Sequence, residues 1–397
     1  SFLKLRLSYG KVGNDGIINN PRFVHLPSIS QGNDVVSFRP GENTIKPYVI
    51  SGYPNEDITW EIAEQVNFGL EATFFNGLFE TTVDIYQQIR HNVLDKRTVV
   101  PEAMGLGIQP LDNIGKVKSQ GLDFSGKIQH AFSPDLWVIL NGTLTYNKAV
   151  FEEIEEAADK PYYQWRKGHD ISQAVGYIAE GLFRDEQEIA NSPVQGGDLM
   201  PGDIRYRDVN DDGVVDVEDA VHIGFPTTPR LIYGFNGFVN YKGLEFSFAF
   251  QGSGQRGFFI NPAAMSPFAN NHALLTAIYK DHWSTDNMSE RPLWPRLSTK
   301  NIIEHNPQED ASSDKETRMS TYFLRECRFL RCTSLELAYN LPKQWSRKLA
   351  LKNLKVFVRA NNPFIISNFD LWDVELGNNG FNYPIQKTYS VGLNVNF

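Results

Sequence analysis

The 397-residue chain has only two cysteines, Cys327 and Cys332, and no stretch near the ~18 consecutive apolar residues of a membrane-crossing helix. Placed on one strand, the two cysteines would lie about 16 Å apart at ~3.3 Å per residue, against the ~5.5 Å that a disulfide wants, so two free thiols are expected. Positive charge is also short, with 38 Lys and Arg against 47 Asp and Glu, for a net charge of -9. At a pI near 5.5 there is no basic footprint for nucleic acid and no polybasic segment for anionic lipid. The GxSxG and HExxH patterns are absent and the eight histidines are scattered, with His282 beside Trp283 in no ligand spacing. The pairs Glu152-Glu153 and Glu155-Glu156 read as a solvated helix face in a loop rather than a glycosidase pair, so no catalytic residue is expected and the chain is read as a non-enzyme.

Aromatic residues are abundant at 13%, with 27 Phe and 16 Tyr, while mean hydropathy is only -0.36. Strands that alternate lipid-facing and lumen-facing residues produce this combination. Period-two patterning recurs along the chain: Leu244, Phe246, Phe248 and Phe250 alternate with Glu245, Ser247, Ala249 and Gln251, and the same beat runs from Val66 to Phe74 and from Leu335 to Leu341. About ten strands are expected, near 2–12, 60–75, 78–92, 117–132, 135–149, 229–241, 243–255, 324–341, 352–362 and 387–397. Most exceed the five or six residues usual in soluble sheets and reach the nine to eleven or so that a tilted membrane strand needs.

The connections alternate in length. Asn76-Gly77, Ser133-Pro134 and Lys242-Gly243 are tight hairpin turns, and 342–351 is intermediate. Between them lie long polar stretches near 13–59, 93–116, 150–228, 256–323 and 363–386. Short turns on one side and long loops on the other are the asymmetry of an outer-membrane barrel, with the long loops extracellular. A soluble all-β adhesin that binds calcium is the alternative, and a passive porin a third reading; soluble sandwiches do not usually sort their connections in this way. The chain opens at Ser1 inside an apparent strand, FLKLRLSYG, which suggests a fragment whose export signal lies upstream.

Five stretches taken in order carry a likeness: SYGKVGND at 8–15, NIGKVKSQGLDFSG at 113–126, PGDIRYRDVNDDGVVD at 201–216, GFPTTPRLIYGF at 224–235 and the closing YSVGLNVNF. On these the chain resembles the C-terminal part of the SusC/RagA family of TonB-dependent outer-membrane transporters. The resemblance implies an all-β fold, about ten strands of a 22-stranded antiparallel barrel, incomplete without the N-terminal strands and plug. It also implies a bacterial outer-membrane location and TonB-dependent import of oligosaccharides or oligopeptides. The implied partners are the remaining strands and plug, a SusD-like surface lipoprotein and TonB. Tyr389, Val391, Leu393, Val395 and the terminal Phe397 match the signal by which such barrels are inserted into the membrane. Open strand edges in lipid would leave backbone groups unpaired, so the missing strands must come from elsewhere.

Two sets of candidate site residues lie in the long loops. In DVNDDGVVDVED, Asp208, Asn210, Asp212, Gly213, Val214, Asp216 and Asp219 fall on positions one, three, five, six, seven, nine and twelve of a calcium loop. Carboxylates, one amide oxygen and the Val214 carbonyl form a hard oxygen set suited to Ca²⁺ or Mg²⁺. Asp219 is short for a bidentate twelfth ligand and the flanks GDIRYR and AVHIGFP carry no helix pair. A lone loop like those of dockerin modules is therefore expected, with affinity of about 10⁻⁴ to 10⁻³ M and the role of stiffening an extracellular loop. The second set is Tyr162, Tyr163, Trp165, Trp283, Trp294 and Trp372, whose flat amphipathic rings suit contact with a sugar or peptide substrate. Trp60 and Trp137 read instead as girdle residues at the membrane interface.

Overall fold

The computed structural model describes residues 1–15, 25–32, 45–100, 104, 108–157, 159–268, 273–310, 319–348, 351–378 and 380–396. Ten long strands form one antiparallel sheet: β1 (Phe2–Asn14), β2 (Glu61–Phe74), β3 (Phe79–Lys96), β4 (Leu111–Ser133), β5 (Leu136–Glu153), β6 (Leu231–Tyr241), β7 (Leu244–Gly254), β8 (Phe329–Asn340), β9 (Asn353–Ser367) and β10 (Thr388–Asn396). Each pairs with the next in chain order and none crosses over. All ten expected strands are present. Several run further than expected at the long-loop end, so the connection expected at 93–116 shrinks to 97–110. The extensions are held by polar side chains: Lys116 pairs with Glu152 at 3.2 Å and Arg97 with Asp112 at 3.0 Å and Glu155 at 3.1 Å. The segment expected as one strand over 324–341 is broken into Leu324–Glu326 and β8.

Register keeps the two faces of the sheet chemically distinct. Leu5, Leu70, Val83, Phe124, Leu144 and Tyr233 are successive cross-strand partners, as are Phe246, Leu337, Val358 and Val391. Because side chains alternate with period two, the intervening residues share the opposite face. That face carries ion pairs, among them Arg6–Asp84 at 3.1 Å, Lys127–Glu80 at 3.8 Å and Arg359 Nε donating to Glu336 at 2.7 Å. A one-residue slip would exchange the two faces wholesale, which is why the register is fixed so tightly. Aromatic rings also seat over cross-strand glycines: an added Cβ at Gly121 would overlap the Tyr86 ring and approach Tyr146 O to 2.8 Å. Gly237 under Phe248 and Gly392 under Phe357 repeat the arrangement.

The turns at the other end are short for local reasons. Lys242 (φ 51°) and Gly243 (φ 86°) close β6 onto β7 with both residues in the left-handed region, as a tight hairpin turn requires. Pro134-Asp135 joins β4 to β5. The Asn76-Gly77 hairpin is wider than expected: Phe74 pairs with Phe79, so four residues make the turn, and Phe75, Asn76 and Gly77 all have positive φ.

The hydrophobic core lies outside the sheet. Tyr177, Leu182, Ile204, Tyr206, Ile278, Trp294, Ile302, Phe323, Phe369 and Val374 cluster together, mostly from the connections β5–β6, β7–β8 and β9–β10. These long connections therefore pack into one cap over their end of the sheet. Backbone bonds tie two of them directly, with Tyr177 N donating to Met319 O at 3.0 Å and Thr321 N to Tyr177 O at 2.9 Å. Among the described residues the cap holds only short strands and short helical turns, such as Ile204–Tyr206 paired with Ala179–Leu182.

Both cysteines are free, as expected, and both are buried. Trp60 stands on the apolar side of β2, packed over Gly13 and 64% exposed, in keeping with a girdle position. Trp137 does not. It shares a face with Ile139 and packs on Phe238 at 4.8 Å, on the polar side of the sheet at the short-turn end. The alternation of β5 places Val138 and Leu140 on the apolar face, so Trp137 points the other way.

Candidate metal loop and aromatic cluster

The acidic segment Asp208–Asp219 is folded by its own side chains. Asp208 Oδ2 accepts from Gly213 N at 2.8 Å, Asn210 Oδ1 from Asp212 N at 3.1 Å, Asp212 Oδ1 from Val214 N at 2.8 Å and Asp216 Oδ1 from Glu218 N at 2.8 Å. Asp211 (φ 59°) and Gly213 (φ 87°) take the left-handed turns that bring these oxygens round. Val214–Val215 pairs in parallel with Val194–Gln195 and anchors the loop to the cap.

Asp219 performs a different task from the expected twelfth ligand. It is fully buried, and it accepts three backbone N–H groups, from Val209 at 2.6 Å and Asn210 at 3.4 Å on one oxygen and from Asp216 at 2.8 Å on the other. With Asp216 it forms a capping box on the turn Val217–Asp219. Burial pushes its carboxyl above the usual range against the pull of those donors. Asp219 thus closes the loop on itself.

The donors that remain fit a hard cation. Asp208 Oδ1 is a buried oxygen without a hydrogen-bond partner, and an unpartnered buried carboxylate oxygen is costly unless something positive meets it. Asn210 Nδ2 donates to Asp212 Oδ2 at 3.0 Å and leaves Asp208 Oδ1 unmet. Among the described residues no three His, Cys, Asp or Glu side chains form a preformed metal cluster, so this loop's oxygen set would depend on Asn210 and the Val214 carbonyl as well.

The structure brings half of the aromatic set to this loop. Tyr163 donates its hydroxyl to Glu218 O at 2.8 Å, and the neighbouring Gln164 donates Nε2 to Val217 O and Glu218 O at 2.8 and 2.9 Å. Burial, then the carboxylates of Asp219 and Glu218, hold the Tyr163 hydroxyl above its ordinary range. Tyr162 meets Tyr163 edge-on at 5.6 Å and is 79% exposed. Trp165 ties Nε1 to Lys160 O at 3.0 Å and accepts His222 Nε2 on its carbonyl at 2.8 Å, leaving its ring half-exposed. His222 stacks on His169 at 3.6 Å, and burial, with His169 next, lowers its affinity for a proton.

The other three aromatics are elsewhere. Trp294, expected at a loop surface, is 2% exposed and packs on Phe323 at 5.4 Å within the cap core. Trp283 lies over Gly202 at the edge of that core. Trp372 lines a separate cavity between the β7–β8 and β9–β10 connections. Tyr389, Val391, Leu393 and Val395 lie on one face of β10, opposite Ala360, Val358, Val356 and Leu354, while Phe397 lies outside the described residues.

Sequence reasoning missed the polar centre of the cap. Asp203, wholly buried, accepts from Asn306 Nδ2 at 3.2 Å and pairs with Arg296 at 2.9 Å and with His305 Nδ1 at 2.6 Å. Nearby Glu309 accepts from Tyr206 Oη at 3.0 Å, Ser320 N at 3.2 Å and the Ser320 hydroxyl. Its carboxyl is pushed up to about 7 by burial, which outweighs all three donors. A carboxyl beside Pro307 and Gln308 in a polar stretch gives no periodic signal from which burial could be inferred.

Comparison with known proteins places this geometry. The family model "TonB dependent receptor-like, beta-barrel" matches residues 2–285. The chain is 26% identical to TonB-dependent receptor P26 of Formosa agariphila, over all of its own length and 40% of the relative's. It is 25% identical to TonB-dependent receptor SusC of Bacteroides thetaiotaomicron, over all of its length and 38% of that protein's. Among solved structures, the RagAB peptide transporter matches 99% of the chain and 40% of its own chain, with a TM-score of 0.70 at 21% identity. The chain thus spans about 40% of the length of the curated relatives it matches. A single ten-stranded sheet with an apolar face belongs with these barrels rather than with the two-layered soluble sandwich of the adhesin alternative. The chain belongs to the TonB-dependent receptor β-barrel family and is a SusC/RagA-like outer-membrane protein.

Proposed function

We propose that this chain forms the barrel wall and the loop cap of a nutrient importer that takes up oligosaccharides or oligopeptides by TonB-dependent active transport, handed on by a SusD-like surface lipoprotein. The observation that carries the reading is the likeness across the whole chain to SusC and to the RagAB peptide transporter, joined to a cap built from its long connections. In this reading the cap faces the cell exterior and the polar face of the sheet lines the path. The remaining strands and the plug come from the rest of the transporter.

Within the cap, the loop Asp208–Asp219 holds Ca²⁺, or Mg²⁺ in its place. Asp208, Asn210, Asp212, Val214 and Asp216 supply the oxygens, while Asp219 shapes the loop. The bound cation stiffens the loop against which Tyr163 and Gln164 rest, and so fixes Tyr162 and Trp165 as a contact surface for substrate. Deleting the complete transporter gene in its host tests the main proposal: growth on one class of complex nutrient, glycan or peptide, is lost and returns on complementation. Unchanged growth on every glycan and peptide mixture would remove the importer reading.

A further inference from the structure

A cavity of about 320 Å³ opens between the helix Pro262–Met265, the helix Thr276–Lys280 and Leu371, Trp372, Asn378, Gly380 and Phe381 of the β9–β10 connection. Met265, Leu275, Ala277, Leu371, Trp372 and Phe381 form its apolar lining. Among the described residues no Lys, Arg, Asp or Glu lines it, and the polar residues of its described lining are Asn261, Thr276 and Asn378, all exposed. Asn261 spends its side-chain oxygen capping the first helix, accepting from Ala264 N at 3.1 Å.

Trp372 is placed for insertion rather than for stacking. Its Nε1 donates to Gly377 O at 3.0 Å, and Phe369 meets it edge-on at 4.9 Å. Gly380 lies over the ring fusion so closely that a Cβ there would overlap the indole atoms Cδ2, Cε3 and Cε2. One face of the indole is therefore occupied by backbone. A sugar ring pushed into the cavity would bring its hydroxyls against Met265, Leu275, Ala277 and Leu371, where they would lose water and find no partner. An apolar side chain carries no such penalty and gains the area it buries. The cavity volume, at the low end of the range for small ligands, suits one large side chain.

Resting on the import reading above, we infer that this cavity is a specificity pocket for a Leu- or Phe-sized apolar side chain of a peptide substrate, with Asn378 and Thr276 at its mouth beside the peptide backbone. The inference is tested on the complete transporter in detergent with the photoreactive peptide acetyl-Gly-Gly-(benzoylphenylalanine)-Gly-Gly-amide. Labelling falls on the cavity-lining residues Met265, Leu275, Ala277, Leu371, Trp372 and Phe381 or their immediate neighbours. The Phe pentapeptide competes for it about tenfold better than pentaglycine, and maltohexaose does not compete. Ala277→Trp fills the cavity and lowers labelling about tenfold; Thr276→Trp, at the exposed mouth, does the same without touching the core. Labelling elsewhere, equal competition by maltohexaose or pentaglycine, or full labelling of a folded Thr276→Trp protein overturns the pocket. Uptake of the Phe pentapeptide by cells reads the import proposal separately. Uptake without pocket labelling defeats the pocket alone, and labelling without energy-dependent uptake of any nutrient defeats the import reading alone.

Discussion

Replacing Glu309 by Gln should remove a pH dependence that the native cap carries. The carboxyl is wholly buried, bound by Tyr206 and Ser320, and held up to about 7 from an ordinary value of 4.5. The folded cap therefore keeps this proton over a range in which the opened cap releases it. Its stability is complete below about pH 4.5, falls as pH rises, and levels off above about pH 7. A shift of that size corresponds to about 3 kcal/mol, of which roughly 2 kcal/mol is lost between about pH 5.5 and pH 8. Hydrogen exchange on the complete transporter, followed in peptides covering 302–310 and 319–327 and corrected for intrinsic rates, reads the opening free energy of the segments that enclose the carboxyl. The native protein should open about thirtyfold more readily at the higher pH. In Glu309→Gln the amide oxygen takes the Ser320 N–H and the amide nitrogen faces the two hydroxyls, which rotate to accept, so the dependence should vanish while protection stays. An equal slope in both proteins, or none in the native one, would refute the reasoning.

Gly121→Leu should lower the yield of folded, heat-modifiable barrel, because its side chain meets the Tyr86 ring and Tyr146 O; pairing it with Tyr86→Ala should restore part of the yield, as judged by gel mobility before and after boiling. Arg331→Met should loosen the β9–β10 connection by about 3 to 5 kcal/mol, since it leaves Asp373, bound at 2.6 Å, and Glu375 without their cation; protease cleavage within 368–387 reads the change. Asp208→Ala should abolish terbium luminescence excited through Tyr163 in the intact transporter, and no difference between native and variant would remove the metal proposal. Phe323→Ala, at a fully buried cap position, should cost about 3 to 5 kcal/mol and raise hydrogen exchange across the cap while leaving gel heat-modifiability intact.

The wall of the barrel was legible because every strand writes its environment into alternate residues. Leu244 to Gln251 reads as a strand in the sequence and is one, with Phe246, Phe248 and Phe250 on the apolar face. Strand ends were less legible, since Lys116, Glu152 and Glu153 extend the sheet with polar side chains that look like loop. The cap was hidden for a different reason. Its core residues sit in strands of two to four residues, in single turns and in irregular segments, too short for any period, and their burial depends on pairings as distant as Tyr177 with Met319. Trp294 and Tyr162 look alike in sequence, yet one is core and the other surface. The acidic loop was legible by its spacing, but the backbone duty of Asp219 emerged only with the N–H groups of Val209, Asn210 and Asp216 around it.

The central claim is active import, and uptake by cells tests it most directly. Cells carrying the complete transporter should accumulate a fluorescent heptapeptide or a fluorescent maltoheptaose, and a proton uncoupler should abolish that accumulation. Accumulation of neither probe class, or accumulation indifferent to the uncoupler as through a passive porin, would contradict the account.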